Sequence, residues 1–134
     1  MIHSEHRFHG RSSLRFVYQK GHMVRGGLLS LRYAQNDRRS SYRVAVVVSR
    51  KVSKSAVVRN RIRRRLYEIV RKHATYITKP YDLVITVYGE DTAKVSHTQL
   101  QQLVLGQLAQ AGIWNAKVAS EAEHDILDGK ELHT

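Results

Sequence analysis

The chain has 134 residues, 42% of them hydrophobic, and it contains no cysteine. This length and apolar content fit one compact domain with a hydrophobic core, and the lack of cysteine excludes disulfide bonds and cysteine-ligated zinc. No apolar run is long enough to span a bilayer, and the N-terminus lacks the apolar stretch of a signal peptide. We therefore expect a cytoplasmic protein with no membrane partner.

The formal net charge of +12 is concentrated in the first half of the chain. Residues 1–72 contain 19 of the 23 lysines and arginines but 3 of the 11 acidic residues, a local net charge of +16. Residues 73–134 contain 4 basic and 8 acidic residues, a net charge of −4. Solubility alone would explain the size of the charge but not its segregation, whereas a polyanionic partner explains both.

The first predicted element is a short helix that a serine at 12 or 13 caps and Gly21 ends, with Leu14, Val17 and Tyr18 on one face. Residues 28–33 alternate as in a strand, and residues 35–40 form a polar loop.

Residues 43–49 are almost continuously β-branched, which predicts a central strand buried on most of both faces. A helix over residues 56–73 follows, and after a break at Pro80 residues 81–88 form another strand. Strand, helix and strand make a β-α-β unit with parallel strands, for which a right-handed crossover is the general expectation. The face of the sheet opposite that helix must either be covered by other elements or serve as a binding surface.

Ser96 and Gln99 have the spacing of a capping box and open a last helix that ends at Gly112. Residues 120–134 are acidic and resemble a flexible tail. We expect one domain over residues 1–119 followed by this tail.

The helix over residues 56–73 is the most informative segment. Its apolar residues recur at helical spacing and form one stripe, namely Val58, Ile62, Leu66, Ile69 and Val70. Arginine is rarely buried without a partner, so the arginines of residues 59–65 should flank or oppose that stripe. Guanidinium groups bind phosphate bidentately and stack on bases, which favours a polyanionic partner over a simply solvated face. No Trp or Phe lies near this helix, which argues against a membrane surface.

Catalytic and metal-binding patterns are weak. The histidines at 3, 6 and 9 have roughly helical spacing, but near a chain terminus such residues are usually solvated. Glu90 and Asp91 could hold hydrated magnesium, although such a pair more often only solubilises a loop. We predict no catalytic residue and no metal ligand in the protein itself.

Aromatic residues in the basic half suggest a second binding element. If Tyr18 and the exposed sheet face line a groove, they can stack single-stranded bases with arginine nearby.

Residues 52–64 resemble the signature of the bacterial ribonuclease P protein component. In that family a lysine-containing turn and an Ala-Val run precede Arg-Asn-Arg, here Arg59, Asn60 and Arg61, followed by an apolar residue and two basic ones. The similarity covers roughly residues 6–112. It implies an α/β (α+β sandwich) fold of the ribosomal protein S5 domain 2-like type, with a mixed four-stranded sheet, about three helices and a left-handed crossover.

The resemblance also implies the function and the residues that carry it. The family's partner RNA, with its Mg²⁺ ions, removes the 5′ leader of precursor tRNA, and the protein is a non-catalytic subunit, here expected to be a monomer. The positions implied to contact the catalytic RNA are Arg50, Lys51, Lys54, Arg59, Asn60, Arg61, Arg63, Arg64 and Arg65. Those implied to line a cleft for the single-stranded leader are Leu14, Tyr18, Arg32 and Val47.

The chain departs from the family pattern at a few of these places. Leu14 stands where many members have phenylalanine, and Tyr88 with Gly89 stands where a basic pair often follows the strand. Two rivals remain: a general or ribosomal RNA-binding protein, and a protein-only nuclease, which needs a carboxylate cluster that the sequence does not display.

Overall fold

The computed structural model describes residues 6–7 and 11–113, so the predicted acidic tail over residues 120–134 lies outside the described part. The elements in chain order are α1 (Arg11–Lys20), β1 (His22–Val24), β2 (Leu29–Gln35), β3 (Arg43–Val47), α2 (Ala56–His73), β4 (Tyr81–Val87) and α3 (His97–Gln110). Short 3-10 helices lie at Ala74–Tyr76 and Glu90–Ala93. The expected mixed four-stranded sheet with three helices is confirmed.

The sheet has the strand order β1-β2-β4-β3. β2 pairs antiparallel with both β1 and β4, and β3 pairs parallel with β4, so the predicted β-α-β unit is confirmed. The prediction of a central strand over residues 43–49 is wrong, because β3 lies at the edge of the sheet.

The apolar sequence of β3 has another explanation: the strand is covered on both faces and along its free edge. Its two faces pack against different clusters of apolar side chains. Along the free edge, Arg7 forms a parallel bridge with Val44, and the ring of His6 stacks on Tyr42 with centroids 4.3 Å apart. An edge strand covered in this way needs no polar residues to prevent pairing with other chains.

Helices lie on both faces of the sheet. The larger core joins α2 and α3 to one face, and its fully buried side chains include Val44, Leu83, Ile62, Leu66 and Leu100. A smaller cluster of Val17, Ala45 and Val84 joins α1 to the other face. Each fully buried Leu or Ile contributes about 1.5–3 kcal/mol relative to exposure, so the α2 face supplies most of the stability. The α1 face is only partly covered.

The boundaries of α2 and α3 follow from capping. The Ser55 hydroxyl accepts a hydrogen bond from the Val58 amide at 3.3 Å and opens α2 at the predicted residue. The predicted capping box of α3 is confirmed, since Ser96 and Gln99 bond each other's backbone amides. Gly112, with a φ of 77°, follows the end of α3 in the left-handed conformation that favours glycine.

The start of α1 differs from the prediction. The helix begins at Arg11, so the serines at 12 and 13 lie inside its first turn and neither is the cap. Its end at Gly21 is as predicted, but the reason is close packing. A Cβ at Gly21 would lie 2.3 Å from the Val17 carbonyl oxygen and 2.6 Å from that of Tyr33. This glycine therefore lets the end of α1 sit against β2.

Asp82 and Arg43 form an ion pair on the α1 side of the sheet. The buried Asp82 carboxylate accepts from Nε and Nη2 of Arg43 at 3.0 and 2.9 Å, and from Nδ2 of Asn36 at 3.0 Å. Asn36 follows β2 and Arg43 begins β3, so their bonds to Asp82 hold both ends of the β2–β3 loop against the start of β4. In the described part of the chain, no helix is both long and apolar enough to cross a bilayer.

Candidate nucleic-acid interface

The strand register arranges the α1 face of the sheet in rows. Ser30 of β2 lies opposite Thr86 of β4, which lies opposite Val47 of β3. The next row, about 7 Å further along the strands, holds Arg32, Val84 and Ala45. Residues two apart in a strand share a face, so both rows face α1.

α1 packs directly on the second row, whereas in the first row Thr86 and Val47 stay half-buried. Val17 is fully buried against Ala45 and Val84, with Leu14 and Val47 partly buried beside this cluster. We call this partly covered stretch of the sheet beside α1 the sheet groove. Its side chains are Leu14, Tyr18, Ser30, Arg32, Val47, Thr86 and Tyr88, of which the two tyrosines are exposed.

Tyr18 and Arg32 are in direct contact within the sheet groove. The Arg32 guanidinium lies 4.7 Å from the centroid of the Tyr18 ring, a cation–π contact, and the Tyr18 side chain is 42% exposed. The structure thus brings all four predicted leader residues to one side of the sheet. Leu14 and Val47 contribute apolar packing, while Tyr18 and Arg32 offer a ring and a cation to solvent.

A second exposed tyrosine lies at the other end of the sheet groove, and the sequence analysis did not assign it a role. Tyr88 is 50% exposed, and its hydroxyl is 2.7 Å from the hydroxyl of buried Ser30. The same end of the groove is lined by Lys51, Val47 and Thr86. Because Ser30 and Tyr88 are 58 residues apart in the sequence, no local sequence pattern predicts that they are in contact.

On the opposite face of the sheet, α2 presents two exposed arginines. Arg61 and Arg64 are exposed, and among the described residues neither forms a hydrogen bond or ion pair. Together with Arg65, Glu68 and His97, they line a hollow between α2 and the start of α3. These two guanidinium groups are therefore available to an external anion.

Two other arginines of α2 bind backbone carbonyls of the loop that precedes the helix. Arg59 Nη1 donates to the carbonyls of Ser53 and Lys54 at 3.1 and 3.3 Å. Arg63 donates through Nη2 to the Val48 carbonyl at 3.3 Å and through Nη1 to the side-chain oxygen of Asn60 at 3.0 Å.

Arg65 points away from the other arginines. It is half-buried and donates to the carbonyls of Thr92, at 2.9 Å, and Val95. The resemblance placed it among the residues that contact the catalytic RNA; in the structure it joins α2 to the segment that precedes α3. Sequence periodicity cannot distinguish these two roles, since both lie on the flank of the apolar stripe.

The loop between β3 and α2 carries the remaining predicted cations. Arg50, Lys51 and Lys54 are exposed and line a hollow together with Arg59 at the start of α2. Buried Ser53 shapes the loop by accepting a hydrogen bond from the Ser55 amide at 3.2 Å. Lys51 lines both this hollow and the end of the sheet groove, so the loop connects the two basic surfaces.

The C-terminal half of α2 is less basic than its sequence suggests. Glu68 accepts from Nε and Nη2 of Arg71, with the shortest contact at 2.8 Å. These hydrogen bonds lower the pKa of Glu68 from 4.5 to about 2, so it is ionised at neutral pH. Its charge offsets that of Arg71, whereas Arg61 and Arg64 in the preceding turns have no acidic partner among the described residues.

The described residues contain no group of three or more His, Asp or Glu side chains placed to hold a metal ion. Glu90 and Asp91 lie exposed in the 3-10 helix after β4. The histidines at 3 and 9 lie outside the described residues, and the carbonyl oxygen of Tyr42 accepts a hydrogen bond from Nδ1 of His6 at 3.0 Å.

Comparison with known proteins decides the family. The model of the family described as Ribonuclease P matches residues 2–112. This chain belongs to the ribonuclease P protein family. The ribonuclease P protein component of Roseiflexus castenholzii is 36% identical over 109 residues, covering 81% of this chain and 88% of that protein. That of Clostridium kluyveri is 33% identical over 111 residues, covering 81% and 96%.

Solved structures agree on the fold. The ribonuclease P protein of Staphylococcus aureus superposes with a TM-score of 0.73 at 24% identity, covering 82% of this chain and 98% of that one. The Thermotoga maritima protein gives 0.69 at 21% identity, covering 78% and 96%. Family membership makes the chain a ribonuclease P protein subunit, with ribonuclease P RNA as its partner and tRNA 5′ maturation as its process.

Proposed function

We propose that this ribonuclease P protein holds two RNAs on two separate surfaces. The catalytic RNA binds the exposed cations of α2 and the preceding loop, and the single-stranded leader of precursor tRNA lies in the sheet groove. The observation that carries the proposal is Lys51, which lines both the loop hollow and the end of the groove. One loop thus connects the two surfaces, which lie on opposite faces of the sheet.

The α2 surface has the charge and rigidity that RNA binding requires. Arg61 and Arg64 project from a helix whose apolar residues Ile62, Leu66, Ile69 and Val70 are buried, so the core holds their backbone in place. Arg50, Lys51 and Lys54 extend the positive surface along the loop. Phosphate contacts of this kind supply affinity and orientation without reading sequence.

Arg59 and Arg63 act in the same surface in a different way. Their guanidinium groups use one or two donors on loop carbonyls, and a guanidinium has five. The remaining donors are available to phosphate, while the internal hydrogen bonds hold the loop against α2. Both arginines therefore support the RNA surface as well as contacting it.

The sheet groove suits a single strand rather than a duplex. Tyr18 offers a ring face, and Arg32 is already stacked on it. Base–aromatic stacking is tolerant of sequence, which fits a protein that must accept the leaders of many different precursor tRNAs.

The hydrolysis itself belongs to the catalytic RNA and its Mg²⁺ ions. The protein's part is to bind, to orient the leader and to reduce repulsion between the phosphates of two RNAs. The protein acts as a monomer in the cytoplasm, where its precursor substrates are made.

The direct test of the groove compares precursor and mature tRNA. The complex of this protein with ribonuclease P RNA is expected to bind a leader-containing precursor more tightly than the leaderless tRNA. Without the protein, that preference should shrink. Equal affinities with and without the protein would leave only a general RNA-binding protein, which is the alternative function that the basic surface alone allows.

A further inference from the structure

The sheet groove holds a second aromatic side chain whose position is fixed by the fold. Tyr88 follows β4 directly, and its amide donates to the Leu28 carbonyl at 2.7 Å, so its backbone continues the pairing with the β2 side. Its side chain lies on the face of Thr86, and its hydroxyl reaches diagonally to Ser30. This diagonal reach is typical of an aromatic residue across two antiparallel strands.

The hydroxyl contact keeps the Tyr88 ring on the sheet. Ser30 is 1% exposed, so its hydroxyl would be unsatisfied without this partner. A buried polar group that loses its partner costs about 1–3 kcal/mol; this is the penalty that keeps the contact closed. Half of the Tyr88 surface nevertheless remains open to solvent. An exposed ring that is held by its own hydroxyl is a rigid platform.

The surroundings of Tyr88 match the chemistry of one nucleotide. Lys51 lines the same end of the groove and supplies a cation for a phosphate, and Thr86 supplies a hydroxyl. Val47 supplies an apolar floor. Ring, cation and polar group together are the components with which proteins bind single-stranded RNA.

We propose that Tyr88, anchored by Ser30 and flanked by Lys51, is a second base-stacking position for the precursor leader, separate from Tyr18. The hydroxyl of Tyr88 is anchored at the level of Ser30, whereas Tyr18 is contacted by Arg32, two residues or about 7 Å further along β2. Stacked neighbours in a nucleic-acid strand are about 3.4 Å apart. The two rings therefore hold different nucleotides.

This inference rests on the proposed leader groove, and a leader-length series separates the two. The substrates are precursor tRNAs whose leaders grow by one nucleotide from none, bound to the complex of protein and ribonuclease P RNA. The intact protein is expected to gain affinity in two steps as the leader lengthens. Y88A should remove one of these steps, which lowers the affinity for precursors with the longer leaders about tenfold. Tyr18→Ala should remove the other step.

Three further variants control the test. Tyr88→Phe keeps the ring but not the anchor, so it should retain most of the step that Y88A loses. Leu103→Ala removes a similarly exposed apolar side chain from α3 and should leave both steps unchanged. In the Tyr18 and Tyr88 double alanine variant, the two fold-losses should multiply.

The outcomes distinguish a failure of the second stacking position from a failure of the proposed groove. If Y88A retains both steps, weakens leaderless tRNA equally, or removes the same step as Tyr18→Ala, the second stacking position is wrong while the groove stands. If the intact protein shows no dependence on leader length, the proposed groove itself is wrong.

Discussion

At the scale of single residues, neighbouring arginines of α2 have different partners. Arg64 is exposed to solvent, whereas the next residue, Arg65, donates to the carbonyls of Thr92 and Val95. We therefore expect these identical side chains, one position apart, to contribute to different properties: Arg64 to RNA affinity and Arg65 to the stability of the fold.

Paired alanine variants measure this difference. Arg64→Ala should weaken binding to ribonuclease P RNA and change the free energy of unfolding by less than about 0.5 kcal/mol. Arg65→Ala should destabilise the protein by about 1.5–3 kcal/mol, because hydrogen bonds from a charged donor are lost. Denaturant unfolding and RNA affinity are measured on both. A destabilised Arg64 variant with normal affinity would contradict the assignment.

Tyr18 gives the second prediction at this scale. Its alanine variant loses the exposed ring and the contact with Arg32, so the affinity of the complex for precursor tRNA should fall by about 5- to 100-fold, the range for one stacked base. The affinity for leaderless tRNA serves as the control and should not change. A similar loss for both substrates would show that Tyr18 does not act through the leader.

At the scale of elements, the sequence predicted the helices better than the strands. The bounds of α2 and the capping box of α3 were predictable because local rules decide both, namely apolar spacing and side-chain capping. β1 was missed, since a three-residue strand carries almost no pattern and forms through its pairing with β2.

The placement of β3 shows why topology is harder to predict than element type. Its valine-rich sequence indicated burial on both faces correctly, but burial on both faces also occurs at an edge that other residues cover. Similarly, the basic surface of α2 was predictable from arginine spacing. The Ser30–Tyr88 contact was not, because only the folded register of β2 and β4 brings these residues together.

α2 also provides a prediction about pH. The pKa of Glu68 falls from 4.5 to about 2 through its hydrogen bonds with Arg71. A group whose folded pKa is depressed stabilises the protein above its unfolded pKa and loses that contribution as the pH falls through the folded value. The stabilising effect of Glu68 should therefore be complete above about pH 4.5 and disappear towards pH 2.

Comparison with Glu68→Gln isolates this contribution. The difference in unfolding free energy between the two proteins is expected to be small, because the pair is on the surface, and to decrease between those two pH values. A difference that stays constant over that range would show that the Glu68–Arg71 pair does not stabilise α2.

At the scale of the whole molecule, the fold separates two basic surfaces by one sheet and connects them with one loop. α2 and its loop lie on one side, the sheet groove lies on the other, and Lys51 borders both. Under the proposed function, this arrangement lets a small protein contact a large RNA and its substrate together, with each RNA on a different face.

The salt dependence of RNA binding follows from the count of free cations. Five exposed basic side chains lie on the proposed catalytic-RNA surface: Arg50, Lys51, Lys54, Arg61 and Arg64. With a slope of about −0.7 to −0.9 per phosphate contact, these five cations alone should make the logarithm of the binding constant fall with the logarithm of salt concentration with a slope near −4. Phosphate contacts from Arg59 and Arg63 should steepen that slope to about −5 to −6. Arg61→Ala should reduce that slope by about 1. An unchanged slope would remove Arg61 from the phosphate contacts.

The central claim is that this protein assists an RNA catalyst, and one cleavage assay tests it most directly. Precursor tRNA is incubated at low Mg²⁺ concentration with ribonuclease P RNA, with this protein, or with both. We predict removal of the 5′ leader only when both are present. Cleavage by the protein alone, or no stimulation of the RNA by a protein that binds it tightly, would contradict the account.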